Sequence, residues 1–172
     1  MAHKLIVGTT LSGKSTIAKM MVRDAARRGI VPVIYDPTLS AWESEFITCD
    51  EGEFIEILRY NYEDKRKIFA IIDEADTLLS MSHRHNWWLF MRGRHFGIEC
   101  CAITQQPSGV APAIRNNAAD LFVFNTSKNY AEMLANDFSA PELSRAPELR
   151  QGEFLHSHWK DGKKVVDSMK AF

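Results

Sequence analysis

The sequence predicts an α/β fold in which helices cover both faces of a mainly parallel sheet. Runs rich in branched and aromatic residues alternate with helix-like segments, which is the pattern of parallel strands joined by helical crossovers. Two middle runs, Ile68–Ile72 and 121–124, are apolar almost throughout, as expected for strands buried on both faces. The last runs flank residues 160–163 (Lys-Asp-Gly-Lys), a turn signal that predicts a C-terminal antiparallel hairpin.

Individual elements follow the hydrophobic pattern and its breaks. Strands are predicted at Lys4–Val7, Val31–Tyr35, Ile68–Ile72, Ile98–Thr104, 121–124, 153–156 and 164–168. Helices are predicted between them, and two of them end at the glycines Gly29 and Gly97. These helices span residues 15–28, 53–60, 75–80, 86–96 and 129–137. Around Pro141 and Pro147 we expect an irregular or short-helix surface segment.

Length and composition indicate a single domain, residues 1–172. A chain of 172 residues that is 45% apolar can bury one good core and is too short to divide comfortably into two. Its 21 Lys and Arg residues and 22 Asp and Glu residues give a net charge of -1, so the chain has no overall field for holding a polyanion. A nucleic-acid partner would need a local basic surface or one built from repeating subunits.

Cysteine use and hydropathy predict a cytoplasmic protein. Cys49, Cys100 and Cys101 lack metal-ligand spacing, and we expect them to be reduced thiols in the core. The chain has neither the pattern of a secretion signal nor an apolar stretch of the roughly 18 residues that a membrane helix needs. We therefore expect no membrane insertion by this chain.

Residues 8–15 form a phosphate-binding loop motif. In order they are Gly8, Thr9, Thr10, Leu11, Ser12, Gly13, Lys14 and Ser15. This order fits Gly-x4-Gly-Lys-[Ser/Thr] between a predicted strand and a predicted helix. The glycines let backbone N–H groups turn toward phosphate oxygens, and the helix N-terminus adds its positive end. We expect ATP to bind here and at Thr16, with Lys14 on the β- and γ-phosphates and Ser15 on Mg2+.

A buried strand that ends in two carboxylates supplies the second half of the predicted site. Ile68–Ile72 is followed by Asp73 and Glu74, a costly strand end unless a cation or water uses the two acids. Asp73 is expected to hold Mg2+ through water, and Glu74 to orient and deprotonate the attacking water. Asp76 is expected to be a solvated residue of the following helix rather than a third catalytic acid.

The strand Ile98–Thr104 also ends in polar residues, Gln105 and Gln106, before Pro107. A side chain at a strand tip beside the phosphate loop can hydrogen-bond the γ-phosphate or the attacking water, and so report the nucleotide state. The same residues would also suit a simple Gln-rich turn ended by proline.

Taken together, these residues resemble the FtsK/HerA superfamily of ring-forming, DNA-pumping ATPases. The resemblance rests on the phosphate loop, residues 35–37 (Tyr-Asp-Pro), the acidic strand end and the Arg-x-x-Gly-Ile to Thr-Gln-x-Pro spacing of residues 94–107, and it covers nearly the whole chain. It implies a three-layer P-loop NTPase fold of the RecA/ASCE type, with the strand of Gln105 between those of the phosphate loop and the acidic pair. It also implies that Gln105 senses the γ-phosphate. So compact a version is most similar to the genome-packaging ATPases of membrane-containing viruses and phages.

The resemblance further implies an arginine finger that serves a neighbouring subunit. Arg94 is the favoured residue, Arg92 is the alternative, and Arg115 is a second choice. A guanidinium can neutralise charge on the transferred phosphoryl group, an effect worth roughly 10^3 to 10^5 in rate in other systems. Arg92 and Arg94 would also suit solvated positions at a helix end.

The predicted function is an ATP-hydrolysing translocase that forms a hexameric or pentameric ring and packages a viral double-stranded DNA genome. It would act in the host cytoplasm or at a virion vertex, with a capsid-vertex or membrane protein as a further partner. DNA contact would be sequence-independent, through Lys, Arg and backbone donors. Residues 82–88 mix cations and aromatics and are a candidate pore loop, although Trp87 and Trp88 would equally suit a core or subunit contact.

Two other functions remain open at this point. One is a phage assembly or secretion ATPase that acts on protein (Zot-like), and the other is a small nucleoside or nucleotide kinase. Thymidine-kinase-like enzymes usually carry a late Cys-x-x-Cys zinc lasso, whereas this sequence has no cysteine after Cys101. The pairs His83/His85 and His156/His158 could bind a metal, but no third ligand of suitable spacing accompanies them.

Overall fold

The computed structural model describes residues 2–172 and confirms the predicted fold class. Its strands are β1 (Lys4–Val7), β2 (Val31–Tyr35), β3 (Phe46–Thr48), β4 (Ile68–Ile72), β5 (Ile98–Thr104), β6 (Asp120–Val123), β7 (Glu153–Lys160) and β8 (Lys163–Lys170). Its α-helices are α1 (Lys14–Arg27), α2 (Glu51–Glu63), α3 (Trp88–Met91), α4 (Pro112–Arg115) and α5 (Lys128–Asp137). Short 3-10 helices lie at Ala75–Thr77, Arg84–Asn86, Gly93–Phe96 and Pro141–Glu148.

The described strands form one sheet in the order β3-β2-β4-β5-β1-β6-β7-β8. Pairing is parallel from β3 to β6, and β7 and β8 add the antiparallel end. β5, which leads to Gln105, lies between β1 and β4, so the strand order implied by the family resemblance is confirmed.

Helices bury both faces of this sheet. Alternate residues of β1 enter two separate apolar clusters: Leu5 and Val7 belong to one, and Ile6 belongs to the other. α1 packs on the Ile6 side through Ile17 and Val22, whereas α2, α3 and α5 pack on the opposite side. This double cover explains why all five residues of β4 are buried and why the strand is apolar throughout.

The C-terminal hairpin is confirmed and extends further than predicted, to residues 153–170. Its two-residue turn places Asp161 at φ 51° and Gly162 at φ 75°. Positive φ at both positions matches the turn type whose twist suits a hairpin, which is why Asp-Gly was an informative signal.

Two predicted helices are wrong. Residues 75–80 form only the short turn Ala75–Thr77, and residues 86–96 are divided into α3 and the 3-10 helix Gly93–Phe96. Gly93 lies at this break, where glycine lowers helix propensity, and it is buried against β5: a Cβ there would be 3.5 Å from the Ile98 carbonyl oxygen. The short elements β3 and α4 were not predicted because three or four residues carry too little periodicity.

The cysteine prediction is correct for two of the three thiols. Cys100 and Cys101 are fully buried, and burial raises the pKa of the Cys101 thiol to about 12 and that of Cys100 further still. Cys49 is exposed, contrary to prediction, because it follows the edge strand β3 instead of a central one. Within residues 2–172, every helix is too short or too polar to cross a membrane.

Candidate functional site

Three strand ends meet at one edge of the sheet. Val7, the last residue of β1, is in register with Thr104, the last residue of β5. Ile72, the last residue of β4, is in register with Ala102 of the same strand. The phosphate loop, the acidic pair and Gln105 follow these strands directly, so all three lie at the C-terminal edge where open α/β sheets bind ligands.

Close packing against Phe124 explains the two glycines of the loop. A Cβ on Gly8 would lie 2.6 Å from the Phe124 Cβ, and one on Gly13 would lie 2.9 Å from Cε1 of the same ring. Gly13 also has φ +117°, a conformation that L side chains rarely adopt. The loop therefore rests directly on the residue that follows β6, in a space that only glycine allows.

Segments distant in sequence hold the loop in place. The Gly152 N–H donates to the Ser12 carbonyl at 2.9 Å, and Gln151 Nε2 donates to the Leu11 carbonyl at 3.1 Å. On the other side, the Thr9 N–H donates to the Asn125 carbonyl at 2.8 Å. The start of β7 and the end of β6 thus fix the loop conformation together.

α1 begins at this loop with glycine at its N-cap. Asp50 caps α2 by accepting a hydrogen bond from the Glu53 N–H, and Ser127 caps α5 by accepting one from Tyr130. Gly13 has no side chain with which to cap α1. The first-turn amides and the helix dipole therefore favour an anion at the start of α1.

Lys14 is buried between the loop and the acidic strand end. It is 8% exposed, and its Nζ donates to the Thr9 carbonyl at 2.7 Å. Burial lowers the pKa of Lys14, and the charges of Asp73 and Glu74 raise it. Burial is the larger effect, so the pKa of Lys14 lies below its usual value.

Asp73 is a half-buried carboxylate surrounded by like charge. Burial raises its pKa to about 6, the charges of Asp36 and Glu74 raise it as well, and the Glu74 N–H and Lys14 oppose the change. Such a carboxylate gains most from a nearby cation, which favours its charged form.

Glu74 has an unusual backbone conformation for a residue with a side chain. Its φ of 46° and ψ of 52° place it in the left-handed region, at a cost of about 1–2 kcal/mol. This residue ends β4 abruptly and begins the turn Ala75–Thr77. Strain of this kind concentrates at functional sites, where the surrounding structure enforces it.

Gln105 connects the phosphate loop to the acidic pair. Its Oε1 accepts a hydrogen bond from Thr10 Oγ1 at 2.8 Å, and its Nε2 donates to Glu74 Oε1 at 3.3 Å. The side chain is half-buried at the tip of β5. A single amide therefore contacts the two parts of the predicted site.

Asp36, at the end of β2, organises the wall beside Asp73. It is fully buried, and its carboxylate accepts hydrogen bonds from the backbone and hydroxyl groups of Thr38 and Ser40 and from Trp42 Nε1, at 2.6–2.9 Å. Burial would raise the pKa of Asp36, but the hydrogen bonds from Ser40, Trp42 and Thr38 outweigh it and hold the pKa at about 2. The same bonds fix the loop that carries Thr38 and Ser40 to the cavity.

A cavity of about 400 Å³ lies over these groups. Residues 10–16 line it, together with Asp73, Glu74 and Gln105. The first two residues of the loop, Gly8 and Thr9, do not line the cavity. Ser12 Oγ is buried and has no hydrogen-bond partner among residues 2–172; it packs against Gly8, where a Cβ would lie 2.7 Å from it. Ser15 and Asp73 line the same cavity and supply oxygen ligands, which fit Mg2+.

Arg92 and Arg94 lie far from this cavity. Both are exposed; Arg92 follows α3, and Arg94 lies in the 3-10 helix that precedes β5, so they do not share the single helix that was predicted. The seven-residue β5 separates this helix from Gln105, a distance of roughly 20 Å. Neither arginine is therefore placed to serve the site of its own chain.

Arg115 is wrong as a second-choice finger. It is 6% exposed; its Nε donates to Asp137 Oδ2 at 2.7 Å, and its Nη1 donates to the Pro107 and Val110 carbonyls at 3.1 and 2.6 Å. A guanidinium committed to these partners cannot extend to another subunit.

Asp76 lies in the turn after β4 and is half-buried, so it is less solvated than predicted. It accepts a hydrogen bond from Thr104 Oγ1 at 3.0 Å, and so joins the end of β5 to the turn after β4. A Cβ on Gly109 would lie 2.8 Å from the Asp76 Cβ, which adds to the crowding around this carboxylate.

In the segment 82–88, the exposed residue Arg84 lies beside aromatics that pack inward. Trp87 and Trp88 are half-buried against the core, and Trp87 Nε1 donates to the Ser80 carbonyl at 3.2 Å. Arg84 lies 5.6 Å from the centroid of the Trp87 ring. The two tryptophans therefore pack against the core, which was the alternative to a pore loop.

The histidine pairs have no third ligand for a metal: within residues 2–172, no group of three metal-ligating side chains is present.

The phosphate loop, the acidic strand end and the sheet order define the class: a P-loop NTPase fold. Neither a protein-family model nor a curated protein matches the sequence. Among solved structures, the chain is similar to the genome packaging NTPase B204 from Sulfolobus turreted icosahedral virus 2, in complex with AMPPCP. That match has a TM-score of 0.80 at 19% identity and covers 98% of this chain and 96% of that chain.

Two larger proteins share the fold over part of their length. One is the pCW3 conjugation coupling protein TcpA with ATPγS, with a TM-score of 0.66 at 18% identity over 96% of this chain and 59% of that chain. The other is the type VII secretion ATPase EccC from Thermomonospora curvata, with a TM-score of 0.69 at 13% identity over 98% of this chain and 24% of that chain. All three structures share the P-loop NTPase fold that the family resemblance implied for this chain.

Several residues at the cavity were missed by sequence reasoning. Thr38 and Ser40 come from the loop after β2, and Gln151 and Phe172 come from the two ends of the C-terminal hairpin. The Tyr-Asp-Pro sequence at residues 35–37 was a usable signal for the first pair. Nothing local marks the second pair, because the pairing of β7 with β8 brings them there.

Proposed function

We propose that this chain is an ATP-hydrolysing motor that translocates double-stranded DNA. The observation that carries the proposal is the meeting of Lys14, Asp73, Glu74 and Gln105 around one cavity above an uncapped helix N-terminus. A triphosphate needs the loop and helix end, and its hydrolysis needs a cation site and a base beside them.

Binding is assigned to residues 8–16. The loop amides and Lys14 hold the phosphates, and Ser15 and Asp73 hold Mg2+, which would neutralise charge on the β- and γ-phosphates. The burial of Lys14 supports this role, because an ammonium ion removed from water interacts more strongly with a polyanion.

Hydrolysis is assigned to Glu74 and Gln105. Glu74 orients the attacking water and accepts its proton, and its fixed left-handed backbone supports a positioned base. Gln105 senses the γ-phosphate, and its contacts with Thr10 and Glu74 would be exchanged for contacts with the nucleotide.

The ring proposal concerns Arg94, with Arg92 as the alternative. Because β5 separates these arginines from their own Gln105, the finger would act on a neighbouring subunit in a hexameric or pentameric ring. The chain would package a viral genome, acting in the host cytoplasm or at a virion vertex with a capsid or membrane protein partner. The whole-length similarity to a genome packaging NTPase supports this part of the proposal.

A protein substrate is the second candidate function. The similarity to a type VII secretion ATPase favours it, although this chain corresponds to only 24% of that structure. The packaging NTPase matches over 96% of its own length, and for that reason we favour DNA.

Phosphate release measured against duplex DNA concentration tests the proposal. We expect stimulation by duplexes of unrelated sequence, reduced by salt because contacts to DNA phosphates release counterions. Lys14→Ala serves as the inactive control, and particle mass with and without nucleotide reports the ring. An ATP turnover rate that does not change with DNA concentration would contradict the DNA-motor proposal. Transfer of phosphate to nucleosides would instead favour a kinase.

A further inference from the structure

The hairpin β7–β8 delivers both of its ends to the cavity. β7 runs antiparallel to β6, so Gln151 and Gly152, which precede β7, lie at the same sheet edge as the phosphate loop. β8 returns antiparallel to β7, and Ala171 and Phe172 therefore reach that edge too. Of these residues, Gln151 and Phe172 line the cavity.

Phe172 is an exposed aromatic ring placed against a glycine. It is 70% exposed, yet a Cβ on Gly152 would lie 2.7 Å from its Cζ and 2.8 Å from its Cε2. One side of the ring thus contacts a backbone where any larger residue would displace it. The remaining surface is open at the cavity, so the ring is accessible to a ligand there.

The position of this ring is tied to the phosphate loop. The Ala171 N–H donates to the Gly152 carbonyl at 2.8 Å, and the Gly152 N–H donates to the Ser12 carbonyl at 2.9 Å. On the loop side, a Cβ on Gly13 would lie 3.5 Å from the Gly152 Cα. Gly152 is therefore in contact with both the loop and Phe172, which places the ring beside the phosphate site.

The ring also lies on the correct side for a nucleobase. Glu74 and Gln105 follow β4 and β5, on one side of β1, whereas Phe172 comes from the strands on the other side. A nucleotide whose terminal phosphate faces Glu74 directs its base away from that residue, toward the hairpin. Aromatic side chains bind bases through their faces, and every base offers one.

We propose that Phe172 is the base-stacking residue of the nucleotide site, with Gly152 as the residue that positions its ring. The inference rests on the proposed nucleotide binding and adds the subsite that takes the base. A benzene ring has no hydrogen-bonding groups, so Phe172 supplies affinity for nucleoside triphosphates as a class without reading the identity of the base.

Binding of ATP and of inorganic tripolyphosphate to Phe172→Ala, compared by calorimetry, tests this. We expect ATP affinity to fall roughly 5- to 150-fold, the range measured for removal of one stacking partner. Tripolyphosphate affinity should stay unchanged because the phosphate loop is intact. Phe172→Trp should retain ATP affinity, and Gly152→Ala should lower it by displacing the ring. In steady state the loss should appear in KM, with kcat nearly unchanged.

Met169→Ala is the matched control, because it removes an exposed apolar side chain from β8, three residues before Phe172. It should leave both affinities at the wild-type value. Equal ATP affinity in Phe172→Ala and the wild type would overturn the stacking role and leave nucleotide binding in place. A wild-type chain that binds neither ATP nor tripolyphosphate would overturn the proposed function and this inference together.

Discussion

At the scale of single residues, the site is a set of charges that stabilise one another only as a group. Burial of Lys14 removes water from its ammonium group and disfavours the charged form, and the negative charges of Asp73 and Glu74 partly offset this effect. Burial raises the pKa of Asp73, and the nearby charges of Asp36 and Glu74 raise it as well. The balance of charge therefore favours a ligand that brings both negative phosphates and a divalent cation.

Lys14→Ala should weaken ATP binding by roughly 10- to 150-fold, since hydrogen bonds from charged groups contribute about 1.5–3 kcal/mol. Isothermal titration calorimetry measures the change. Arg27→Ala is a suitable control, because it removes an exposed cation from the far end of α1. Unaltered ATP affinity in Lys14→Ala would contradict the assignment of the phosphate loop.

The sequence was most informative at this scale where one motif contains all of its residues. The phosphate loop and the acidic pair each occupy consecutive positions, so local spacing predicted them. Thr38, Gln151 and Phe172 reach the cavity through strand pairing and loop hydrogen bonds, which no local pattern encodes. The prediction of Arg115 as a second-choice arginine finger was wrong for a related reason. Its burial depends on where α5 packs, which no local pattern encodes.

At the scale of elements, Arg115 and Asp137 join α4 to α5. The ion pair is largely buried, with side-chain exposures of 7% and 25%, and Arg115 also donates to two carbonyls in the segment that follows Gln105. Without Arg115, the two carbonyls would lose a buried hydrogen-bond donor, whereas Asp137 would remain accessible to water. This cluster thus connects the tip of β5 to the helices behind it.

Arg115→Ala should lower the free energy of unfolding by about 1–3 kcal/mol, because the Pro107 and Val110 carbonyls lose a buried donor. Denaturant unfolding measures the loss, with Arg94→Ala as the exposed-arginine control, expected within about 0.5 kcal/mol of the wild type. If both variants unfolded at the same denaturant concentration, Arg115 would have no structural role.

Element prediction was most accurate for the parallel strands inside the sheet, whose apolar runs are mostly buried. β1, β2, β4 and β5 were predicted to the residue. The helix predicted over residues 86–96 was wrong because its tertiary environment holds Gly93 against β5, and this contact overrides the continuous apolar pattern. The helix expected after β4 was also wrong: Glu74 has a left-handed backbone, and only the short turn Ala75–Thr77 follows it.

At the scale of the whole molecule, the sheet separates the cavity from the exposed residue Arg94. The cavity lies at the C-terminal edge of the parallel strands, and Arg94 lies at the opposite edge, beside His3 at the start of β1. Burial lowers the pKa of His3 to about 4, and the nearby charge of Arg94 contributes to this. In a ring where each chain presents this edge to its neighbour's cavity, Arg94 of one chain would lie near the nucleotide site of the next.

Arg94→Ala should bind ATP normally and lose turnover, by roughly 10^3-fold or more if its contribution matches that of other arginine fingers. Mixing it with Glu74→Gln should restore part of the phosphate release, because some interfaces would then combine an intact Glu74 with an intact Arg94. Mixtures that stay inactive at every ratio would exclude a role for Arg94 across the interface.

Phosphate release by Glu74→Gln at saturating ATP and Mg2+ is the most direct measurement of whether this cavity hydrolyses ATP. Removal of a general base should reduce the rate by about 10^2- to 10^4-fold while ATP still binds, since the amide keeps the size of the side chain and its contact with Gln105. Turnover at the wild-type rate would contradict the assignment of Glu74 and the arrangement of the site built around it.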